Sequence, residues 1–214
     1  MQQITLHQVV PKVFTQCEDL VSDVWKTDVC FKKGMTYLVE AESGKGKSTF
    51  CSYLLGYRND YTGRICFDAA DIREFSLEKW VIVRQQHVSM LFQEMRLFPE
   101  LTAWENVEVK NRLTGHIDKE NIRKWFQKLG IAEKWNVKAG FLSQGQQQRV
   151  AFIRSLVQPF DYLVIDEPIS HLDDSNAQLM VDIITQVRKQ IGCGIIATSI
   201  GKQLPLDYDK TLKL

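Results

Sequence analysis

Long apolar runs, paired cysteines, a large net charge and repetition are all missing from this 214-residue chain. The wholly apolar stretches are short, such as residues 151–153 and 162–165. A membrane-spanning helix needs ~20 consecutive apolar residues, so none is expected. Residues 1–5 lack the basic start and apolar run of a secretory signal, and a cytoplasmic protein is expected. The five cysteines, Cys17, Cys30, Cys51, Cys66 and Cys193, are scattered, odd in number and without a C-x-x-C pair. That pattern favours reduced, mostly buried thiols over a zinc site or disulfides. Lys and Arg total 27 against 26 Asp and Glu, so no bulk field points to nucleic acid or an anionic membrane surface. No internal repeat or low-complexity linker is present, and the glutamines at 144 and 146–148 are too few to imply disorder. What remains is ordinary globular chemistry, 44% apolar and 25% charged, long enough for one core with a small appended subdomain.

Strand-like and helix-like segments alternate. Residues 35–40 read as a strand entering a glycine-rich loop, and 47–55 as the helix that follows. Residues 64–67 read as a strand after a turn at Gly63. Asp118 is placed to cap a helix that carries Ile122, Trp125, Phe126 and Leu129 on one face and stops at Gly130. Residues 162–165 read as a buried strand. Met180, Ile184, Val187 and Ile191 recur at helical spacing up to Gly192, and 195–198 form another short strand. The alternation predicts an α/β fold with a mostly parallel sheet. The aromatic residues of the middle helix are read as core.

The chemistry concentrates in the run Ala41-Glu42-Ser43-Gly44-Lys45-Gly46-Lys47-Ser48-Thr49. It lies between a predicted strand and a predicted helix, the setting a Walker A phosphate loop requires. Gly44 and Gly46 permit backbone geometry that turns successive N–H groups inward, and the helix directs its positive end at the same place. Lys47 supplies a point charge for the β- and γ-phosphates, and Ser48 a hydroxyl for Mg²⁺. The alternative is a chance G-K-S-T on a surface loop, and Ala41 replaces the first glycine of the usual pattern. Downstream, the strand 162–165 ends in Asp166-Glu167. Such a Walker B strand delivers Asp166 to the metal region and sets Glu167 beyond the strand end to polarise an attacking water. Alone, an acidic turn after a strand would explain the same residues.

The run Leu142-Ser143-Gln144-Gly145-Gln146, followed by Gln147, Gln148 and Arg149, resembles the signature sequence of ABC proteins. Met90-Leu91-Phe92-Gln93 resembles their Q-loop, and Ile169-Ser170-His171-Leu172-Asp173 the D-loop after Walker B. The ordered set covers nearly the whole chain. The resemblance implies one ATP-binding domain over 1–214, a P-loop core with an N-terminal antiparallel β portion, and an inserted helical subdomain at about 94–157. It implies ATP and Mg²⁺ as ligands and two cassettes packed head to tail, with ATP between the phosphate loop of one and Ser143, Gly145 and Gln146 of the other. Gln93 would approach Mg²⁺ or the attacking water, so the metal set would be Ser48, Gln93 and Asp166. Phe14 aligns roughly with the aromatic that stacks on adenine, although an ordinary core phenylalanine explains it equally. The segment 94–107 resembles the subgroup serving lipoprotein release and macrolide export. The partners implied are a separate transmembrane permease, whose coupling helix would dock near residues 95–101, and a second cassette, with no nucleic acid. Peripheral attachment at the inner face of the cell membrane follows.

Three positions depart from the family pattern: Ala41, Gln144, and Ser199, which occupies the place of a histidine that contacts the γ-phosphate. Serine donates one hydrogen bond but is shorter and carries no charge. Glu167 is present, so hydrolysis is still expected, with Glu167, Gln93 and Ser199 as the catalytic set. Two alternatives stand beside a transporter ATPase. One is a weakened cassette acting as an ATP-dependent clamp, which Ser199 favours. The other is a soluble ABC ATPase of DNA or ribosomes, against which the near-neutral charge and lack of a coiled-coil or zinc insertion count.

Overall fold

A computed structural model describes residues 1–17, 20–42, 44–167, 173–201 and 203–214. Its centre is a five-stranded parallel sheet made of β3 (Thr36–Glu40), β6 (Val88–Leu91), β7 (Tyr162–Asp166), β8 (Gly194–Ser199) and β9 (Lys210–Lys213). The spatial order is β6-β7-β8-β3-β9. Strands β7 and β8 are buried along their whole length, as expected of central parallel strands covered on both faces. Tyr162 and Val164 join the core on one side, and Leu163 and Ile165 that on the other, which is the period-two alternation of a strand.

A four-stranded antiparallel sheet covers one side. Its strands are β1 (Gln3–Pro11), β2 (Asp28–Lys32), β4 (Tyr61–Phe67) and β5 (Ala70–Asp71), in the order β2-β1-β4-β5. Ile4, Leu6, Trp25, Phe31, Phe50, Tyr53 and Tyr162 fill the core to which this sheet contributes. Gly63 differs from its expected role as a turn before the strand: it lies inside β4, with φ 78°. There β4 passes the register shift in β1 between His7 and Val10, and a Cβ on Gly63 would fall 2.3 Å from the carbonyl oxygen of Gln8. The glycine therefore marks a bulge crossing.

Among the described residues, six α-helices complete the fold: α1 (Lys47–Leu54), α2 (Leu77–Ile82), α3 (Ala103–Asn111), α4 (Lys119–Lys128), α5 (Gln144–Leu156) and α6 (Asp174–Ile191). Asp118 caps α4 by accepting from the Asn121 amide at 2.8 Å. Gly192, at φ 64°, ends α6 in a left-handed cap. Helix α5 begins at Gln144. Ser143 is the capping residue, and Gln146 closes a reciprocal capping box with it. Ile122, Phe126, Val107, Phe152 and Ile153 join α3, α4 and α5 in a second core that continues to Leu163 and Ile165 of β7. All five cysteines are free, with Cys51, Cys66 and Cys193 buried. Among the described residues no helix is long and apolar enough to cross a membrane.

Candidate nucleotide-binding site

Parallel strands deliver their carboxyl ends to one edge, where α/β sheets place their ligands. In register there are Glu40 beside Ser199, and Asp166 beside Thr198. The loop after β3 uses left-handed backbone at Gly44 (φ 81°) and Gly46 (φ 98°), and Gly46 is the residue that caps α1. A side chain on Gly46 would be strained by this φ and would lie 2.9 Å from the Phe14 ring. Phe14 therefore packs directly on the phosphate loop. Trp25, fully buried behind the loop, donates its indole N–H to the Lys45 carbonyl at 3.4 Å. Ser43 lies outside the described residues.

Lys47, in the first turn of α1, is buried. Its Nζ donates to the carbonyls of Ala41 and Glu42, both at 3.4 Å, and pairs with Glu167 Oε1 at 3.3 Å. Gln93 Nε2 donates to the other Glu167 oxygen at 3.1 Å. Glu167 adopts φ 46° just past the end of β7, and its N–H donates to Thr198 O at 3.3 Å. A positive φ is uncommon for a non-glycine residue, and such strain tends to collect at functional sites. Here the turn accompanies a carboxylate placed against the phosphate loop. Gly44, Gly46, Lys47, Ser48, Thr49, Gln93 and Glu167 line one recess of about 320 Å³.

Asp166 sits deeper. Its Oδ1 accepts from the Thr198 hydroxyl at 2.5 Å. Burial raises its pKa above the ordinary value, with the Glu167 charge adding to the rise and the Thr198 bond opposing it. A small cavity of about 40 Å³ joins Asp166 to Ser48, so Ser48 borders both this cavity and the main recess. No cluster of three His, Cys, Asp or Glu residues able to hold a metal occurs among the described residues. Ser48 and Asp166 offer a hydroxyl and a carboxylate on one cavity, oxygen donors of the kind that Mg²⁺ takes.

Not every expected residue converges. Ser199 is buried at the end of β8, where its carbonyl accepts from the Ala41 N–H at 3.1 Å. It lines a neighbouring recess with Glu40, Ala41 and Lys45, and is absent from the lining of the one that holds Lys47 and Glu167. Ser143, Gly145 and Gln146 form the exposed or half-exposed start of α5. Among the described residues no hydrogen bond or ion pair joins them to the loop at 41–49. The signature's main internal support is Arg149, unassigned by sequence. It donates to Gly145 O (3.0 Å), Leu129 O (2.9 Å) and Asn176 Oδ1 (3.0 Å), tying the signature turn to the end of α4 and to α6. Thr198 was likewise unassigned; its position opposite Asp166 depends on strand register. Of the D-loop only Asp173 is described, and it caps α6 through the Asn176 amide at 2.8 Å.

The family described as ABC transporter matches residues 25–170. The Bacillus subtilis ABC transporter ATP-binding protein YclH is 34% identical over 176 residues, covering 80% of this chain and 76% of that protein. The lipoprotein-releasing system ATP-binding protein LolD of Coxiella burnetii is 29% identical over 185 residues, covering 85% and 79%. Among solved structures, the dimeric ATP-binding cassette MJ0796, in a post-hydrolysis state bound to ADP and Pi, superposes with a TM-score of 0.75 at 25% identity. That match covers 92% of this chain and 87% of the other. With strand, phosphate loop, carboxylate pair and signature in the family's order and on the family's fold, this chain belongs to the ABC transporter ATP-binding proteins.

Proposed function

We propose that this chain binds ATP-Mg²⁺ as one half of a head-to-tail cassette dimer and hydrolyses it to power a membrane partner. The observation that carries this reading is the convergence of Lys47, Glu167 and Gln93 on the phosphate loop. That no described hydrogen bond joins Ser143 or Gly145 to that loop supports the two-chain part, in which they serve a nucleotide held by another copy. In this reading Lys47 leaves Glu167 for the β- and γ-phosphates when ATP enters, and the loop N–H groups with the end of α1 hold the phosphate oxygens. Released from Lys47, Glu167 accepts a proton from the water that attacks the γ-phosphorus. The bond between that phosphorus and the bridging oxygen of ADP breaks, giving ADP and inorganic phosphate. Gln93 orients the water or a metal ligand. Ser48 and Asp166 would hold Mg²⁺, which would supply charge neutralisation at the phosphates. Phe14, packed on Gly46, offers its ring to the adenine.

The similarity to LolD and the resemblance in 94–107 support a separate permease that docks near 95–101, with the cassette held at the inner membrane face through it. A second reading, an ATP-dependent clamp, is favoured by Ser199, which stands where the family pattern has a histidine. Phosphate release from the purified chain and from Glu167→Gln, measured beside ATP-dependent dimerisation, tests both. Hydrolysis lost by at least about a hundredfold in Glu167→Gln, with dimerisation kept or strengthened, is the expected result. Equal phosphate release from both proteins would falsify Glu167 as the base. A stable ATP dimer without single-turnover hydrolysis in the parent would establish the clamp.

A further inference from the structure

The signature reaches its place on a segment with little regular structure of its own. Among the described residues, the chain between the end of α4 and the start of α5 forms short 3₁₀ turns at Ala132–Lys134 and Ala139–Phe141 and no α-helix or strand. Such a segment has few internal bonds, so its position is set by what it packs against. The support here is the stretch 98–104. Asn106, fully buried on α3, accepts from the Phe98 N–H (2.8 Å) and donates to the carbonyls of Phe98 (3.0 Å), Leu101 (3.2 Å) and Thr102 (3.0 Å). Residues 135–140 run antiparallel beside this stretch, with Thr102 opposite Lys138. The Ala103 N–H donates to Val137 O (2.9 Å) and the Trp104 N–H to Trp135 O (3.0 Å). In return the Ala139 N–H donates to Leu101 O (2.8 Å) and the Gly140 N–H to Pro99 O (3.0 Å).

Two tryptophans clamp this pairing. The indoles of Trp104 and Trp135 stack with ring centres 4.5 Å apart and planes inclined by 10°, within the range that aromatic pairs favour. Helix α4 closes over them. Its Phe126 meets Trp135 at 4.8 Å and 60°. Its Lys119 amine lies 4.8 Å from the centre of the Trp104 ring, and its Arg123 guanidinium 5.2 Å from that of Trp135, each within reach of a cation–π attraction. From the α5 side, Gln147 Nε2 donates to Ala139 O (2.9 Å) and Leu142 O (3.2 Å). Leu142 is buried, and Ser143 follows it. The place of Ser143 is thus referred to α3 through one stack and a short ladder. Neither indole lines the recess that holds Lys47 and Glu167.

We infer that Trp104 and Trp135 are positioning residues for the nucleotide shared between two copies, their stack fixing the turn that presents Ser143 and Gly145. This rests on the reading that a second copy completes the site. It adds a requirement that lies in side chains outside any contact with the nucleotide. Because the rings stand apart from the phosphate loop, they govern association and leave the capture of ATP by a single chain untouched. Leucine at either position keeps apolar bulk and loses the stacking face, whereas phenylalanine keeps a flat face.

The test follows ATP-dependent dimerisation of the full chain by light scattering, ATP affinity at protein concentrations too low for dimers, and amide hydrogen exchange. Trp135→Leu and Trp104→Leu should each weaken dimerisation at least about tenfold, with the ATP affinity of the monomer kept. The double variant should be no weaker than either single one, because the same stack is lost in all three. Exchange should quicken at Ala139 and Gly140 and at Gln146, whose N–H donates to Ser143 Oγ. Trp135→Phe should dimerise as the parent does. So should Thr102→Ala, which loosens the same segment and keeps both rings. Should Trp135→Leu fold poorly, Trp104→Leu breaks the stack from the other side. Parent-like dimerisation in both leucine variants, additive losses in the double variant, or unchanged exchange at Gln146 would overturn the proposal. So would a Trp135→Phe as weak as Trp135→Leu. A parent that forms no ATP dimer overturns the two-copy reading instead, and exchange at Gln146 then decides whether the stack holds the signature turn.

Discussion

At the residue scale, the site is a set of charges holding one another in reserve. Lys47 and Gln93 grip opposite oxygens of Glu167, so Lys47 already offsets the carboxylate's charge and Gln93 donates to it. Lys110, whose amine donates to Ser89 Oγ at 3.0 Å, is different, because its charge lacks such a partner among the described residues. The ordinary value for its amine is 10.5, and burial lowers it to about 7. Between those two pH values the unfolded chain carries a proton on Lys110 that the folded chain has released. The unfolded state therefore binds more protons, and stability rises with pH across that window. As pH falls to 7 the gain is lost, and below the folded value the penalty is constant. Denaturant unfolding of the parent and Lys110→Met at pH 7 and pH 10 should show the parent less stable relative to the variant at the lower pH. A pH-independent difference would mean that the amine keeps its ordinary value.

At the element scale, two helices start with the same device for different ends. Thr102 caps α3 and Ser143 caps α5, each through a reciprocal capping box. Replacing either with alanine should cost about 1 kcal/mol, lowering Tm by about 2–4 °C for a chain of this size. The functional consequences should separate. Thr102→Ala leaves every residue of the proposed nucleotide site in place, so ATP-dependent dimerisation should persist at the parent affinity. Ser143→Ala removes a γ-phosphate contact proposed to act across two copies and should weaken dimerisation about tenfold or more, with monomer nucleotide affinity unchanged. Light scattering against ATP concentration checks both. Equal dimerisation by the two variants would mean that Ser143 serves only as a cap.

At the scale of the whole molecule, the fold separates what the proposed chemistry must reunite. The parallel sheet carries Lys47, Asp166 and Glu167 to one edge, whereas α5 presents Ser143 and Gly145 elsewhere. If a second copy completes the site, ligand binding and association are linked. Thermal unfolding of Glu167→Gln in saturating Mg-ATP should then depend on protein concentration, with Tm rising as the protein is concentrated. Without nucleotide it should not. A concentration-independent Tm in both conditions would point to a cassette that binds ATP as a monomer.

The sequence alone determined what depends on local chemistry. The glycines at 44 and 46 were legible because few other residues tolerate that backbone, and Lys47 and Ser48 because they follow those glycines. Asp118 and Gly192 were legible as helix limits because caps are short-range. The alternation of strands and helices was enough to give the α/β class and the parallel sheet. Tertiary structure decided what depends on long-range register. It placed Thr198 on Asp166 and put Gly63 inside a strand opposite a bulge. It paired Ser199 with Glu40 at the carboxyl end of β8 and set it in a recess with Ala41 and Lys45. It also brought Lys110, Ser89 and Arg154 together from α3, β6 and α5, segments whose spacing in the chain carries no signal of contact. Local propensity is written within a few residues. The pairing of distant strands and the burial of a charge are set only when separate hydrophobic faces close on one another.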